Sequence, residues 1–354
     1  MNASRERIVY IDLIKVFLTC LVVVHHAGQA YGKTGGVWLV SEDTQLDYLP
    51  TLFFFNASFM MGFYFFISGY FIFSSLQRKS KIDFLKERLI KFGIPLIFFS
   101  LVIFTPLHFF LSKQETSFLD FSYDLYFNKP PLSFGHLWFV ALLLVFSLLF
   151  MLLKDLFKKT SSESPLKIWY PLIFLFLLIP INVFVRHYYP IDKWVTWIVP
   201  LEVAHLPQYL SLFVLGAIFN SKNWMENIKA STGLLYFFGA LLVFLNKNLI
   251  QNQVSGLWGA SIIESIVCVG LCLGLIVLFK NFGKKMNFLT KTLSDNSYGI
   301  YLFHLLIVIF LQVLLKDLEL NLNLKFFLVS IFGILLPWLL TYFLRKNSLI
   351  RKVL

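Results

Sequence analysis

The sequence predicts an all-α polytopic membrane protein of about ten transmembrane helices with both termini in the cytosol. Of its 354 residues 58% are hydrophobic. Only 14% are charged, where a soluble domain carries about one quarter. The apolar residues also fall into runs of roughly twenty, the length a helix needs to cross a bilayer core.

The clear runs are Val9–Ala30, Thr51–Ser75, Phe92–Leu111, Phe134–Leu153, Ile168–Val185, Ala260–Phe279, Tyr298–Leu315 and Phe326–Leu344. Two weaker ones are Leu206–Phe219, which follows Pro200 and Pro207, and Gly233–Ile250, which ends in Asn246-Lys247-Asn248. Ten is even, so both termini fall on one side. Of the 31 Lys and Arg, 22 lie in segments on the side of the termini, 8 lie in the alternate segments, and Lys15 is inside the first run. Cytosolic loops collect Lys and Arg, and this bias gives the orientation. Residues 1–354 read as a single membrane domain, because no hydrophilic insert is long enough to bury a core of its own.

The net charge of +12 sits between apolar runs. That is a topology signal, and no nucleic-acid partner is expected. Cys20, Cys268 and Cys272 lie inside apolar runs and read as small packing residues with no disulfide between them. Arg5 and Arg7 before an apolar run resemble a signal peptide. Asp12 and Lys15 interrupt that run, however, and His25-His26 stand where small residues should precede cleavage, so a retained span is expected.

Charged residues inside a span are costly and point to function. Lys15 and His26 are eleven residues apart, which puts them within about 20° on one helix face and roughly 16 Å apart along the axis. His25 lies about 100° away. By the assigned topology His26, His108, His136, Arg186, His187, Glu202, His205 and Glu264 sit near the external ends of their spans. His304 lies deeper, two turns in from the cytosolic side. Glu264 or Glu202 could orient an imidazole. No HExxH or closely spaced ligand set occurs, so no metal is expected. No GxSxG elbow or P-loop is present either. Ser68-Gly69, taken alone, reads as a packing notch in an aromatic helix, and Gly270 and Gly274 as a helix-packing pair. The segment Asp83–Pro95 reads as an interfacial helix, with Phe84, Leu85, Leu89 and Phe92 on one stripe and Lys86, Arg88 and Lys91 around it. Arg88 and Lys91 either anchor it to the membrane surface or bind phosphates of a cytosolic ligand.

Five elements then occur in order: Tyr10-Ile-Asp-Leu-Ile-Lys15, followed after ten residues by His26; Phe65-Phe-Ile-Ser-Gly-Tyr70; Phe84 to Pro95; His136-Leu-Trp-Phe139; and Ser297-Tyr-Gly-Ile-Tyr-Leu-Phe-His304. This set resembles acyltransferase family 3, bacterial integral-membrane O-acyltransferases. His205-Leu-Pro-Gln-Tyr209 and Phe213-Val-Leu-Gly216 are similar to the stand-alone branch that includes periplasmic glucan succinyl transfer proteins. The resemblance departs at Lys15, where the family has Arg; a guanidinium fork and an ammonium are not equivalent.

The resemblance implies an enzyme of the bacterial cytoplasmic membrane. It would move an acetyl- or succinyl-type group from cytosolic acyl-CoA to a hydroxyl of an extracytosolic glycan or glycolipid. The expected catalytic residues are His26, Lys15, His136 and Glu264, with His26 as base or acyl relay. The expected donor contacts are Arg88, Lys91, Ser68 and His304, with acyl-CoA as co-substrate and membrane lipids around the bundle. The alternative readings are a glycan or lipid exporter and a structural subunit of a glycan-synthesis complex.

Overall fold

The computed structural model describes residues 7–33, 38–112, 116–128, 135–154, 165–196, 199–254 and 256–354. Nine helices among them are long and apolar enough to cross a membrane. They are α1 (Val9–Gly28), α2 (Leu49–Arg78), α3 (Lys81–Phe110), α4 (Gly135–Leu153), α5 (Tyr170–Tyr188), α6 (Val203–Ser221), then α9 (Gly256–Phe282), α10 (Phe288–Lys316) and α11 (Leu322–Leu344). Between α6 and α9, α7 (Ala230–Leu245) and α8 (Lys247–Gln253) form one path bent by 68°. The bend falls at Asn246, inside the polar run that made this span weak in the sequence.

The bent path still carries the chain across the bundle. Gly233 packs against Val277, and Gly270 against Tyr236 and Ala240, so α7 runs antiparallel to α9. The expected role of Gly270 and Gly274 in helix packing is met by this contact. Lys280 at the foot of α9 donates to the Glu226 carbonyl before α7, and Tyr10 in α1 donates to the Glu226 carboxylate. Arg7 pairs with Asp295 at 3.0 Å, and Arg345 donates to the Asp295 carbonyl. The start of α1, the foot of α10 and the end of α11 therefore share one end of the bundle, called here the basic end.

The first helix is the hub, packing against α2, α9, α10 and α11. Close approach elsewhere depends on glycine. A Cβ on Gly69 of α2 would collide with the Phe213 carbonyl of α6, and one on Gly216 with the Phe66 carbonyl. The outward faces of α5 (Leu172, Phe176, Phe184) and α7 (Leu235, Phe238, Leu242) are exposed and apolar. Contiguous surface of that kind suits lipid contact. A two-stranded hairpin, β1 (Trp194–Thr196) and β2 (Pro200–Glu202), joins α5 to α6.

Two elements correct the sequence reading. Asp83–Pro95 is not a separate interfacial helix. It is the first half of α3, which is capped by the Ser80 side chain accepting from the Asp83 amide. The helix continues through Gly93 and Pro95 because it widens into π turns at Leu89–Gly93 and Phe99–Phe104. An α-helix would pair the Lys91 carbonyl with the amide of residue 95, but proline has none. The Tyr298 hydroxyl supplies that hydrogen bond at 2.6 Å. Second, α10 begins at Phe288, ten residues before the expected span, with Asn287 accepting from the Thr290 amide as its cap. His304 therefore stands sixteen residues up this helix, roughly 24 Å from its start, and not two turns in.

Candidate active site

That longer α10 brings three histidines together. His26 on α1 and His304 on α10 share a hydrogen bond, Nδ1 to Nε2, of 2.8 Å, with ring centroids 5.0 Å apart. His136, at the start of α4, lies 4.7 Å from His304 and 6.5 Å from His26, centroid to centroid. His136 enters on a short 3-10 turn led by Gly135, whose φ of +50° is a left-handed value that glycine adopts without penalty.

The partners fix the tautomers. The Tyr301 carbonyl can only accept, so His304 donates to it through Nδ1–H (2.6 Å) and keeps Nε2 as a lone pair. His26 must then donate Nδ1–H to His304, which leaves the His26 Nε2 lone pair for chemistry. His136 also donates to the Tyr301 carbonyl, from Nε2 at 2.8 Å, and the Tyr301 hydroxyl donates back to the His136 carbonyl. His304 is fully buried and His136 nearly so, while His26 is partly exposed. His26 is thus the accessible member of an oriented chain.

Two further groups hold the His26 ring. Trp38 stacks on it at 5.6 Å and 9° and donates to Gln312. The Gln312 amide donates to the His26 and Ala27 carbonyls in the last turn of α1, beside the Gln29 amide, which donates to the His26 carbonyl at 3.2 Å. His25 faces elsewhere and packs on Phe53.

Below the histidines a cavity of about 940 Å³ opens toward the basic end. Nine cations line it: Arg7, Lys15, Arg78, Lys79, Arg88, Lys91, Arg345, Arg351 and Lys352, against the carboxylates Asp12, Glu87 and Asp295. Lys15 pairs with Asp12 at 3.1 Å and lies 4.4 Å from the centre of the Phe71 ring. Arg88 stacks over Phe84 and Phe92, and Lys91 over Tyr298. Ser68 lines the same cavity. Of the residues expected to contact the donor, Arg88, Lys91 and Ser68 are thus gathered here, together with Lys15. His304 is not among the lining residues and belongs with His26 and His136. Sequence reasoning missed Arg7, Arg78, Lys79, Arg345, Arg351 and Lys352 as members of the group, because only the fold draws them to one cavity.

Glu264 sits apart from the histidine trio. It pairs with Arg186, which is buried inside α5 and not in the external loop where the charge count had it. Arg186 also donates to Ser261 (3.1 Å) and the Ala204 carbonyl (3.3 Å), and its guanidinium lies 3.3 Å from His205 Nδ1. The imidazole that Glu264 and Glu202 flank is that of His205, at 3.9 and 3.5 Å. Burial opposes ionisation of Glu202, but the His205 hydrogen bond and the His205 and Arg186 charges hold its carboxyl below the ordinary carboxylate range.

Among the described residues no group of three His, Cys, Asp or Glu is arranged to hold a metal ion. The facing nitrogens of the trio are engaged with one another and with the Tyr301 carbonyl.

The family model for an acyltransferase domain, that of family 3, matches residues 8–342. The chain belongs to acyltransferase family 3. No curated protein and no solved structure matches it. The matched region of this membrane acyltransferase contains the histidine trio and all of the cavity's cations except Arg7 and the three at 345, 351 and 352.

Proposed function

We propose that this acyltransferase takes an acyl group from cytosolic acyl-CoA and places it on a hydroxyl of an extracytosolic glycan or glycolipid at the bacterial cytoplasmic membrane. One observation carries the reading: a cavity lined by nine cations ends at Tyr301, the residue whose carbonyl orients the histidine trio. Phosphates of a CoA-type donor suit the cationic end, where Arg and Lys supply charge-assisted hydrogen bonds. The pantetheine arm is comparable in length to the roughly 16 Å from Lys15 to His26. His26 Nε2 accepts the proton of the acceptor hydroxyl as that oxygen attacks the thioester carbonyl carbon. The C–S bond breaks, and the proton leaves His26 with the departing sulfur. His304, anchored on Tyr301, holds the His26 ring and accepts from its Nδ1–H throughout. Gln312 and Trp38 fix the end of α1, so the base is oriented before substrates arrive.

The test uses purified protein in proteoliposomes with acyl-labelled acyl-CoA on the basic side. Label should leave the donor and appear on acceptor supplied on the far side. An exporter or structural subunit would leave the donor intact.

Donor grip has its own expected result. Arg88→Ala with Lys91→Ala should raise the donor KM on the order of 100- to 10,000-fold, since each lost charge-assisted contact is worth about 1.5–3 kcal/mol, with the acceptor KM unchanged. An unchanged donor KM would return both residues to membrane anchoring.

Orientation is checked by labelling. Cysteine at Ser117, an exposed position after α3, should react with an impermeant thiol reagent in intact cells, and cysteine at Lys284, exposed between α9 and α10, should not. The opposite pattern would place the basic end outside.

A further inference from the structure

Four of the helices that line the cavity carry their lining residues from the basic end up to the histidines. On α1 the order is Asp12, Lys15, Thr19; on α10 it is Ser294, Tyr298, Tyr301. On α2 and α4, which run the other way, it is Arg78, Phe71, Tyr64 and Ser147, Leu143, Phe139. Charge therefore stops at Lys15. From Thr19 upward the lining is hydroxyl, aromatic and aliphatic, with no Lys, Arg or carboxylate among the described residues. The upper end is also pinned. Thr19 Oγ1 and the Tyr64 hydroxyl hydrogen-bond at 2.6 Å, and the Tyr64 and Phe139 rings meet at 5.6 Å, the Phe139 and Tyr301 rings at 5.9 Å. Phe139 is also held by Phe65 at 4.8 Å.

We propose that Phe139 and Tyr301, at the histidine end of this uncharged lining, form an acyl selector that admits a short, uncharged acyl group of the acetyl class and rejects carboxylate-terminated groups such as succinyl, with Thr19 and Tyr64 framing the passage below it. The proposal rests on the acyl-CoA reading above. A succinyl donor gripped by its phosphates at the cationic end would carry its free carboxylate beyond Lys15, away from bulk water and from every described cation of the cavity. A desolvated carboxylate without a partner is strongly disfavoured. A longer neutral chain meets the Phe139 ring, which cannot move without disturbing Tyr64, Phe65 and Tyr301.

The test compares membrane vesicles from cells that make the protein with vesicles from cells that lack it. Each is given acyl-labelled acetyl-, butyryl- or succinyl-CoA, and unlabelled CoA serves as competitor. Acetyl label should be consumed, and succinyl label should be consumed on the order of 100-fold more slowly, the scale set by an unpaired buried carboxylate. CoA should compete equally against both, because the grip on the phosphates is common to them. Comparable use of succinyl-CoA overturns the selector and leaves acyl transfer standing. Consumption of no donor overturns both readings. Phe139→Ala should raise the butyryl-to-acetyl ratio at least several-fold; an unchanged ratio with CoA still competing removes Phe139 from the selector. The donor comparison on the unaltered protein stands even where the variant fails to fold.

Discussion

Replacing His26 with alanine is expected to abolish acyl transfer while acyl-CoA binding persists. His26 is the partly exposed member of the trio, and its Nε2 is the nitrogen left over once the Tyr301 carbonyl has fixed His304 and His304 has fixed His26. Losing a positioned general base costs on the order of 10²–10⁴-fold in rate. The cations proposed to grip the donor stand at the opposite end of the cavity, so donor affinity should change little. His304→Ala should cost less than His26→Ala, since it frees the ring but leaves the base present. His25→Ala should be milder again, because His25 packs on Phe53 outside the chain of hydrogen bonds. Transfer in proteoliposomes, with CoA-analogue binding as the control for folding, separates the three. Full activity in His26→Ala would return α1 to a structural role.

Glu264→Gln is expected to damage the fold more than the chemistry. Its carboxylate faces the Arg186 guanidinium, whose side chain is wholly buried. Removing one partner of such a pair leaves a buried charge uncompensated, at about 3–5 kcal/mol. The melting temperature in detergent should fall sharply, and activity should fall with the amount of folded protein. The double change Arg186→Met with Glu264→Met should recover much of the loss, because well-packed apolar replacements of a buried pair are often close to neutral. A Glu264→Gln protein that melts normally yet transfers nothing would restore Glu264 to the catalytic group.

The span pattern and several residues of the candidate site were legible because membrane chemistry makes them stand out in the sequence. An apolar run containing Lys15 and His26 has few structural explanations, and Arg88 and Lys91 stood out as cations on one face of a short segment. What failed was depth and partnership. His304 was set too near the basic end because Thr290, Lys291, Ser294 and Asp295 looked like loop. They are helical, and Asn287, a favoured cap residue, was the available signal that α10 starts early. The separation of Glu264 from His26 was invisible, since which histidine a buried carboxylate meets depends on helix packing across long stretches of chain. Arg7, Arg345 and Arg351 gave no sign of sharing a cavity with Arg88 for the same reason.

The widened turns of α3 make this helix intolerant of a change in residue count. Each π turn holds one residue more than an α turn would, and together they set the angular phase between Arg88 below and Phe104 above. Arg88 must face the cavity, and Phe104 must pack edge-on against His136, 5.7 Å between centroids. Ile97, between the two turns, is exposed and should accept most apolar substitutions. Deleting it is another matter. With one residue gone, the upper half of the helix rotates by about 100° and drops by about 1.5 Å relative to the lower half. Donor grip and histidine packing could then no longer be satisfied at once. Along this stretch, an in-frame loss of a single codon should be more damaging than most missense changes at the same site.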